Sequence, residues 1–258
     1  MKFSILITSY NKGQFLEECI NSCLNQTYKN FEIIICDNFS DDNSEQVFEK
    51  YKKHIKLIKK KRISKFSPIN QIDLIKEGFL NISGDIVCLL DADDYFLEQK
   101  LEILQGEFLK KNSPDVIFDL PLVKKFNSMI KFKLKNKIQK YIWPTIINTS
   151  SISLSKFYLR SCIEKNILEG FNFLEVDFRI NVYSRCINKN FIIINQDITV
   201  YRQVEDSIMS NIKKYSPKWW CKRLESHKFM VEHFNKNNLR YINKLDYGVS
   251  KLLSKVLN

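Results

Sequence analysis

Apolar runs that end in polar clusters recur over the N-terminal half of the chain. The pattern predicts strands at residues 3–8, 31–36 and 86–90, each followed by polar side chains and then by a helical pattern. The run at 86–90 has no polar alternation, which is typical of a central strand covered on both faces. Strands and helices that alternate in this way predict a doubly wound α/β sheet, with ligands at the carboxyl ends of the strands.

The same periodicities predict the remaining elements. Helices are expected at residues 14–25, 43–52, 69–81 and 98–111, and further strands at 55–58, 115–119, 191–195 and 198–201. The composition shifts at residue 213, and two amphipathic helical stretches are predicted beyond it, from residue 216 and at 239–257. We therefore divide the chain into a domain at 1–212, with halves at 1–120 and 121–212, and a helical C-terminal extension at 213–258.

Three carboxylates crowd together where the strand at 86–90 ends. Asp91, Asp93 and Asp94 lie within four positions, so they repel one another and raise each other's pKa values unless a cation neutralises them. Carboxylate oxygens suit Mg²⁺ or Mn²⁺, which bind one or two carboxylates together with substrate phosphates. The alternative is a polar loop in which Asp94 caps a helix that begins near residue 97.

Composition limits the class of protein and its expected location. A 258-residue chain with 44% hydrophobic and 27% charged residues is typical of a soluble globular protein. No apolar run reaches the roughly 20 residues of a membrane span, and the N-terminus lacks the pattern of a signal peptide. Seven cysteines, an odd number, argue against a full disulfide framework and favour a reducing compartment. We therefore expect a cytoplasmic protein.

The net charge of +12 calls for an acidic partner or a solvated surface. Basic excess of this size suits nucleic acid, anionic lipid surfaces or phosphorylated small molecules. A solvated lysine surface without a ligand is the alternative. The sequence matches no common nucleic-acid-binding motif, so we expect no nucleic-acid partner.

Six short motifs occur in a fixed order along the first half of the chain. They are Ile7-Thr8-Ser9-Tyr10-Asn11-Lys12, Gln26-Thr27-Tyr28, Phe31-Glu32-Ile33-Ile34-Ile35, Asp37-Asn38-Phe39-Ser40, Ser83-Gly84-Asp85 and Leu90-Asp91-Ala92-Asp93-Asp94. In this order and spacing the chain resembles the nucleotide-diphospho-sugar glycosyltransferases of family 2, strongly over residues 2–120 and more weakly to about 210. The resemblance implies a GT-A-like mixed sheet, with a Rossmann-like nucleotide-sugar half at 1–120 and an acceptor half at 121–212.

The resemblance also implies how the donor is bound. Thr8, Asp37 and Asn38 stand at strand ends, where they would hydrogen-bond the base and ribose; a turn-forming role is the alternative for Asp37. Asp93, helped by Asp91, is the expected ligand of Mn²⁺ or Mg²⁺. The cations expected to meet the diphosphate are Lys76, where relatives carry an arginine, and Arg202, within a closing loop that includes Ser207 and Ser210. The full donor-binding set is Thr8, Tyr10, Asp37, Asn38, Lys76, Asp91, Ala92 and Arg202.

A general base and an acceptor pocket are implied farther along the chain. The resemblance assigns the general base to Asp177, with Glu175 as the alternative. Both residues would lie near the start of a helix. The competing hypothesis makes Asp177 and Arg179 exposed positions of a helix whose Leu174, Phe178 and Val182 face inward. The sugar and acceptor pocket is expected to include Trp143, Thr149, Ser150 and Asp94, although Trp143 could equally fill the core.

These expectations define a function and its main competitor. The resemblance implies a metal-assisted inverting glycosyltransferase that moves a sugar from a UDP-linked donor to a hydroxyl of a cell-surface glycan or lipid-linked acceptor. The competitor is a non-catalytic protein of the same fold that binds sugar nucleotides or polyanions. The basic aromatic extension could rest peripherally on the inner face of a membrane, or pack on the domain or on a second subunit of a homo-oligomer.

Overall fold

The computed structural model describes residues 1–134, 143–203, 212–234 and 243–256. Ser207, Ser210 and the start of the stretch predicted at 239–257 lie outside the described residues. The helices are α1 (Gly13–Leu24), α2 (Ser44–Tyr51), α3 (Ser67–Phe79), α4 (Lys100–Phe108), α5 (Lys156–Glu164), α6 (Val176–Tyr183), α7 (Pro217–His233) and α8 (Lys244–Val256). The strands are β1 (Phe3–Ser9), β2 (Phe31–Asp37), β3 (Lys56–Lys59), β4 (Ile86–Asp91), β5 (Tyr95–Phe96), β6 (Val116–Asp119), β7 (Leu122–Lys125), β8 (Ser128–Lys131), β9 (Ile152–Ser155), β10 (Phe191–Ile194) and β11 (Thr199–Arg202).

Two sheets organise these elements. The larger has the strand order β10-β6-β9-β4-β1-β2-β3, and the smaller has the order β5-β11-β7-β8. Strands β3, β2, β1 and β4 are parallel, whereas β9 runs antiparallel between β4 and β6. The predicted mixed, doubly wound α/β sheet is therefore confirmed.

Strand β4 shows why the central run carries no polar alternation. Ile86, Cys88 and Leu90 belong to the hydrophobic cluster that includes side chains of α1, α2 and α4. Val87 and Leu89 belong to the cluster on the other face, together with side chains of α3, α5, α6 and α7. Burying one such aliphatic side chain stabilises the fold by about 1.5–3 kcal/mol, so both faces of β4 contribute to the core.

A fully buried lysine joins the two sheets. Lys100 Nζ donates hydrogen bonds to Asp119 Oδ2 at 2.8 Å, to the carbonyl of Ser150 at 3.0 Å and to Thr199 Oγ1 at 2.6 Å. An ammonium has three donors, and these acceptors satisfy all of them. The contacts tie α4 to β6 of the larger sheet, to β11 of the smaller sheet and to the 3₁₀ turn Thr149–Ser151.

Several elements differ from the prediction. Helix α4 begins at Lys100 with Gln99 as its N-cap, so Asp94 does not cap it. The residues between are taken by β5, because Tyr95 and Phe96 pair with β11. The hairpin of β7 and β8, β9 and α5 were not predicted. In β9 the serines are buried or half-buried beside fully buried apolar residues, and in β8 every residue is exposed, so neither strand has a clear hydrophobic pattern.

The predicted helices of the C-terminal extension are present as α7 and α8. Phe229 and Met230 of α7 belong to the same hydrophobic cluster as Phe178 of α6. Helix α8 is tied to α7 through Asp246, which accepts hydrogen bonds from Arg223 at 2.7 Å and contacts His227 at 2.5 Å. The division at residue 212 stays a prediction. No helix in the described ranges is both long and apolar enough to cross a bilayer.

Replacing Lys100 tests the buried lysine. Lys100→Met should lower the free energy of unfolding by about 3–5 kcal/mol, because it leaves Asp119 buried without its cation. Urea denaturation followed by circular dichroism measures this. Lys110→Met, which removes an exposed lysine just after α4, should change stability by no more than about 0.5 kcal/mol. Similar losses in the two variants would contradict a central role for Lys100.

Candidate active site

The carboxyl ends of β1, β2 and β4 bring the predicted polar clusters together. Thr8 lies opposite Asp91 in the register of β1 with β4, and Ser9 lies opposite Asp37 in the register of β1 with β2. These strand ends border a cavity of about 260 Å³, which we call the first cavity. The expected site residues that line it are Thr8, Tyr10, Asn38, Asp91, Ala92, Asp93, Thr149, Glu175, Asp177 and Arg202.

The turn after β1 is held by the loop after β2. Asn11 adopts a left-handed conformation with φ of 51°, which asparagine tolerates better than most residues. Its Nδ2 donates to Asp41 Oδ1 at 2.6 Å, and the Asp41 amide donates back to Asn11 Oδ1 at 3.0 Å. A Cβ at Gly13 would lie 2.8 Å from the backbone nitrogen of Ser44, so the close approach of these loops favours glycine. Lys12 therefore extends from a well-fixed backbone.

Asp91 lies at the end of β4 within a network of hydrogen bonds. Its Oδ1 accepts from Thr8 Oγ1 at 3.0 Å and from Gln71 Nε2 at 2.6 Å. Burial, reinforced by the charge of Asp93, raises the pKa of Asp91 to about 6, while the hydrogen bonds and Lys12 oppose this shift. The carboxyl thus changes charge close to neutral pH.

Asp93 faces the first cavity and carries an ion pair. Its Oδ2 lies 2.7 Å from Lys12 Nζ. Its carbonyl oxygen accepts a hydrogen bond from the Arg202 guanidinium at 2.6 Å. The carboxylate at the expected metal position is therefore balanced by a lysine of the chain itself.

The structure corrects the expected roles of Asp94 and Ser150. Both side chains are fully buried, and neither lines the first cavity. Asp94 Oδ2 accepts from Ser150 Oγ at 2.5 Å, and Asp94 Oδ1 accepts from the Arg202 amide at 2.8 Å. Burial and the charges of Asp93 and Asp91 raise the pKa of Asp94 well above its usual range. These two side chains connect β4 to β11, and they line neither the first cavity nor the second cavity described below.

Asp37 and Asn38 take different places in the loop after β2. The Asp37 carboxylate is buried and accepts from the Ser40 amide at 2.8 Å and from Ser40 Oγ at 2.6 Å. It does not line the first cavity, which corresponds to the turn-forming alternative. Asn38 does line the cavity, while its Nδ2 donates to the carbonyl of Lys60 at 3.0 Å.

Only one of the two cations expected at the diphosphate lines the first cavity. Lys76 forms an ion pair with Glu169 and does not line the first cavity. Arg202 does line it, but its guanidinium is paired with Glu18 and lies 4.6 Å from the ring centroid of Tyr95. Arg202 thus stabilises the acidic turn Asp91–Asp94 through its hydrogen bonds to Asp93 and Asp94, and its role at a diphosphate stays a prediction.

Polar side chains outside the expected site set also line the first cavity, and four of them bear most directly on its chemistry. Lys12, Arg62, Gln71 and Tyr201 all contribute to its wall. The Arg62 guanidinium lies 4.4 Å from the ring centroid of Tyr10. Burial and the nearby carboxylates raise the pKa of Tyr201, so its phenol stays a hydrogen-bond donor. The basic run at 59–62, directly after β3, was the sequence signal for Arg62, and Tyr201 lies beside Arg202 in the expected closing loop; nothing local pointed to Gln71.

Arg179 organises the loop that leads into α6. Its guanidinium donates to the carbonyls of Glu169 at 2.6 Å, Gly170 at 2.6 Å and Phe171 at 2.7 Å, and its Nε donates to Leu174 at 3.1 Å. The side chain is fully buried. The hypothesis that Arg179 is an exposed helical position is therefore wrong, and the loop before the expected base has a rigid support.

Glu175 and Asp177 lie at the start of α6 on the wall of the first cavity. Glu175 is the N-cap of α6, and its Oε1 lies 2.6 Å from Lys222 Nζ of α7. Burial and the charge of Glu175 raise the pKa of Asp177 to about 7, and Lys222 opposes this shift. Asp177 can therefore accept a proton near neutral pH, which a general base requires.

A second cavity of about 410 Å³ adjoins the first. Asn148, Glu175, Asp177 and Tyr201 line both, so the two cavities meet at the start of α6. Its other walls are largely aromatic and cationic. They include Phe132, Trp143, Phe178, Lys214, Trp219, Lys222 and Arg223.

Trp143 belongs to the second cavity and also packs against the core. Its ring lies edge-on to Phe178 with centroids 5.6 Å apart, and the Arg223 guanidinium lies 5.0 Å from its centroid. Arg223 is also 4.9 Å from the ring of Trp219, so it lies between two indoles. Trp143 thus lines a cavity and packs on the core at the same time, as the two alternatives for this residue expected separately. Thr149 lines only the first cavity.

The acidic residues fit one kind of metal site. Across the described ranges, no group of three or more His, Cys, Asp or Glu side chains is arranged to hold a metal ion. Asp91 and Asp93 nevertheless place two carboxylates in one cavity. Mg²⁺ is commonly held by one or two carboxylates together with substrate phosphates. The pair therefore fits a metal whose ligands are completed by a bound diphosphate, and does not fit a closed all-protein site.

Solved structures share this fold. S. aureus TarS 1–349 in complex with UDP-GlcNAc aligns with a TM-score of 0.65 at 17% identity, covering 100% of this chain and 71% of that chain. The mannosyltransferase PcManGT of Pyrobaculum calidifontis, in complex with GDP-Man and Mn²⁺, aligns with a TM-score of 0.64 at 12% identity, covering 98% and 73%. The fold is that of the GT-A glycosyltransferases, a class in which divalent metals are common.

The sequence comparisons identify the family within that class. The model of glycosyl transferase family 2 matches residues 4–162, more than half of the chain, so the chain belongs to this family. The poly(ribitol-phosphate) beta-N-acetylglucosaminyltransferase TarP of Staphylococcus aureus is 30% identical over 220 residues, covering 81% of this chain and 65% of TarP. Other curated glycosyltransferases are longer, and the matches cover 16% to 42% of their lengths.

The charges around Asp177 can be tested by ¹³C NMR titration of its carboxyl group. Because burial and Glu175 raise its pKa, the wild-type midpoint should lie near neutral pH. Glu175→Gln should lower the midpoint and Lys222→Met should raise it, since the first removes a negative charge and the second a positive one. Lys228→Met, on the exposed side of α7, should leave it unchanged. If Glu175→Gln and Lys222→Met shift the midpoint in the same direction, they change the packing around Asp177 and the predicted charge effects are wrong.

Proposed function

We propose that the chain is a metal-assisted inverting glycosyltransferase of the hexosyltransferase type. It moves a sugar from a UDP-linked donor to a hydroxyl of a cell-surface glycan or lipid-linked acceptor. Membership of family 2 supports the reaction class. The UDP-GlcNAc complex of the structural neighbour TarS and the acetylglucosaminyltransferase activity in the name of TarP support the choice of donor.

The first cavity is assigned to the donor. Thr8, Tyr10 and Asn38 border the end where β1 and β2 finish, and they can hydrogen-bond or stack against the nucleoside. Arg62 and Lys12 bring positive charge to the same wall, which suits a diphosphate. Asp91 and Asp93 would hold Mn²⁺ or Mg²⁺, which, when bound, stabilises the charge that develops on the departing diphosphate.

The second cavity is assigned to the acceptor, and Asp177 to the base. The acceptor hydroxyl oxygen attacks the anomeric carbon of the sugar, and its proton passes to the Asp177 carboxylate. The bond from that carbon to the diphosphate breaks, and the electron pair leaves with the diphosphate. Attack from the side opposite the leaving group inverts the configuration. The observation that carries this proposal is that Asp177 lines both cavities.

The base assignment can be tested with Asp177→Asn. Transfer should fall by about 10²- to 10⁴-fold, the usual contribution of a general base, while UDP binding stays near the wild-type level. A screen with UDP-, GDP- and dTDP-sugars selects the donor, and calorimetry with UDP reports donor binding. In the wild type, the rate should rise with pH through about 7, because Asp177 must lose its proton to act.

Two further variants complete this test. Asp197→Asn removes a carboxylate that lines neither cavity and should leave transfer unchanged. If Asp177→Asn keeps full activity and Glu175→Gln loses it, the base is Glu175. Binding of a sugar nucleotide without any transfer or hydrolysis in the wild type would favour the non-catalytic alternative.

We further propose that α8 rests on an anionic membrane surface, where a lipid-linked acceptor would be found. Leu245, Leu252 and Val256 are 80%, 62% and 69% exposed on this helix. Lys244, Lys251 and Lys255 are exposed beside them, and the single acidic residue of α8, Asp246, pairs with Arg223 and His227. An exposed face of aliphatic and cationic side chains complements anionic lipid, whereas two such faces would repel each other in a homodimer.

The membrane proposal can be tested by vesicle sedimentation. Leu245→Ser/Leu252→Ser should weaken binding to phosphatidylglycerol-containing vesicles by at least about tenfold, because each leucine loses about 1.5–3 kcal/mol of burial. Leu80→Ser/Leu109→Ser removes two equally exposed leucines elsewhere and should have little effect. Unchanged vesicle binding, or a change of oligomeric state in ultracentrifugation instead, would contradict the proposal.

A further inference from the structure

Lys12 lies directly before α1 and faces the acidic turn after β4. Its ammonium forms an ion pair with Asp93 inside the first cavity, where the two side chains are only 23% and 17% exposed. Within the part of the chain that the structure describes, no other lysine or arginine forms an ion pair with the carboxylates of Asp91, Asp93 or Asp94. Lys12 is thus the counter-charge of the acidic turn.

The position of Lys12 is set by its backbone. The carbonyl of Lys12 accepts the amides of Phe15 at 2.9 Å and Leu16 at 3.0 Å, which begins α1. On its other side, Asn11 is bound to Asp41 in both directions. Because both flanks are fixed, the Lys12 side chain starts from one place, and its ammonium lies in the wall of the first cavity.

An ammonium and a divalent cation compete for the same carboxylate. At a separation of a few ångströms the two cations repel each other, and this repulsion is stronger in a partly buried site than in water. A metal that binds Asp93 must therefore either displace the Lys12 ammonium or share the Asp93 carboxylate with it. Either way, Lys12 weakens the affinity of Asp93 for the metal.

We propose that Lys12 competes with the divalent metal for Asp93, so that the metal binds well only when a nucleoside diphosphate is present. This inference rests on the proposed function, because it assumes that Asp93 is a metal ligand. The diphosphate adds oxygen ligands for the metal and also gives the displaced ammonium a new anionic partner in the same cavity. Metal and donor then increase each other's affinity by the same factor.

The proposal is tested by Mn²⁺ binding to the purified full chain, measured by electron paramagnetic resonance with and without UDP. In the absence of UDP, Lys12→Met should bind Mn²⁺ roughly tenfold more tightly than the wild type, because the competing charge is gone. Lys12→Arg keeps the charge and should stay close to the wild type. The enhancement of Mn²⁺ binding by UDP should be smaller in Lys12→Met than in the wild type.

Two controls locate the effect. Lys50→Met removes the same charge from an exposed pair with Glu17 and should leave Mn²⁺ affinity unchanged. In Lys12→Met/Asp93→Asn the gain should vanish, since the carboxylate released by the first change is absent. Circular dichroism checks the folding of each variant, and Lys12→Gln replaces Lys12→Met if the latter unfolds.

The outcomes separate this inference from the proposed function. If UDP promotes Mn²⁺ binding in the wild type but Lys12→Met has the same affinity as the wild type without UDP, competition by Lys12 is wrong and the metal-assisted function stands. If no variant binds Mn²⁺ even with UDP, both the competition and the metal assistance are wrong. A gain that persists in Lys12→Met/Asp93→Asn would place the competition at another carboxylate and overturn the assignment to Asp93.

Discussion

The buried ammonium of Lys100 is the constraint on which the arrangement of the site depends. A lysine without exposed surface is tolerated only when its charge and its three donors are matched, as they are here by Asp119, Thr199 and the carbonyl of Ser150. These partners come from both sheets and from the turn between them. The side chain of Ser150 continues the network to Asp94, which in turn holds the amide of Arg202. The acidic turn after β4 is thereby fixed against the smaller sheet.

Around the two cavities, acidic groups are balanced by lysines that come from other parts of the chain. Asp93 of the turn after β4 pairs with Lys12 at the start of α1, and Glu175 before α6 pairs with Lys222 of α7. Such pairs reduce the repulsion between acids that lie close together. A charged ligand can also take the place of one member of such a pair. The side chain that it displaces then has an opposite charge nearby. The residues beyond 162, outside the range of the family match, therefore contribute directly to the site.

Local patterns were sufficient to predict every strand of the larger sheet except β9, and the position of the acidic turn. The uninterrupted run at 86–90 followed by Asp91 and Asp93 predicted a buried strand with carboxylates at its end, and β4 has this form. The sequence could not show which acids face a ligand. Asp94, next to Asp93, is buried because Ser150 and Arg202, distant in sequence, hydrogen-bond to it. Nor could the sequence show that Lys76 and Arg202 pair with Glu169 and Glu18, which also lie far from them along the chain.

A crystal structure of the chain with UDP and Mn²⁺, with the ion located by its anomalous scattering, is the most direct test of the central claim. We expect an anomalous peak at bonding distance from Asp93 and from the diphosphate oxygens. The nucleotide should lie in the first cavity, and Asp177 should face the diphosphate end of the nucleotide. Nucleotide bound in the second cavity, or an ion that contacts neither Asp91 nor Asp93, would contradict it.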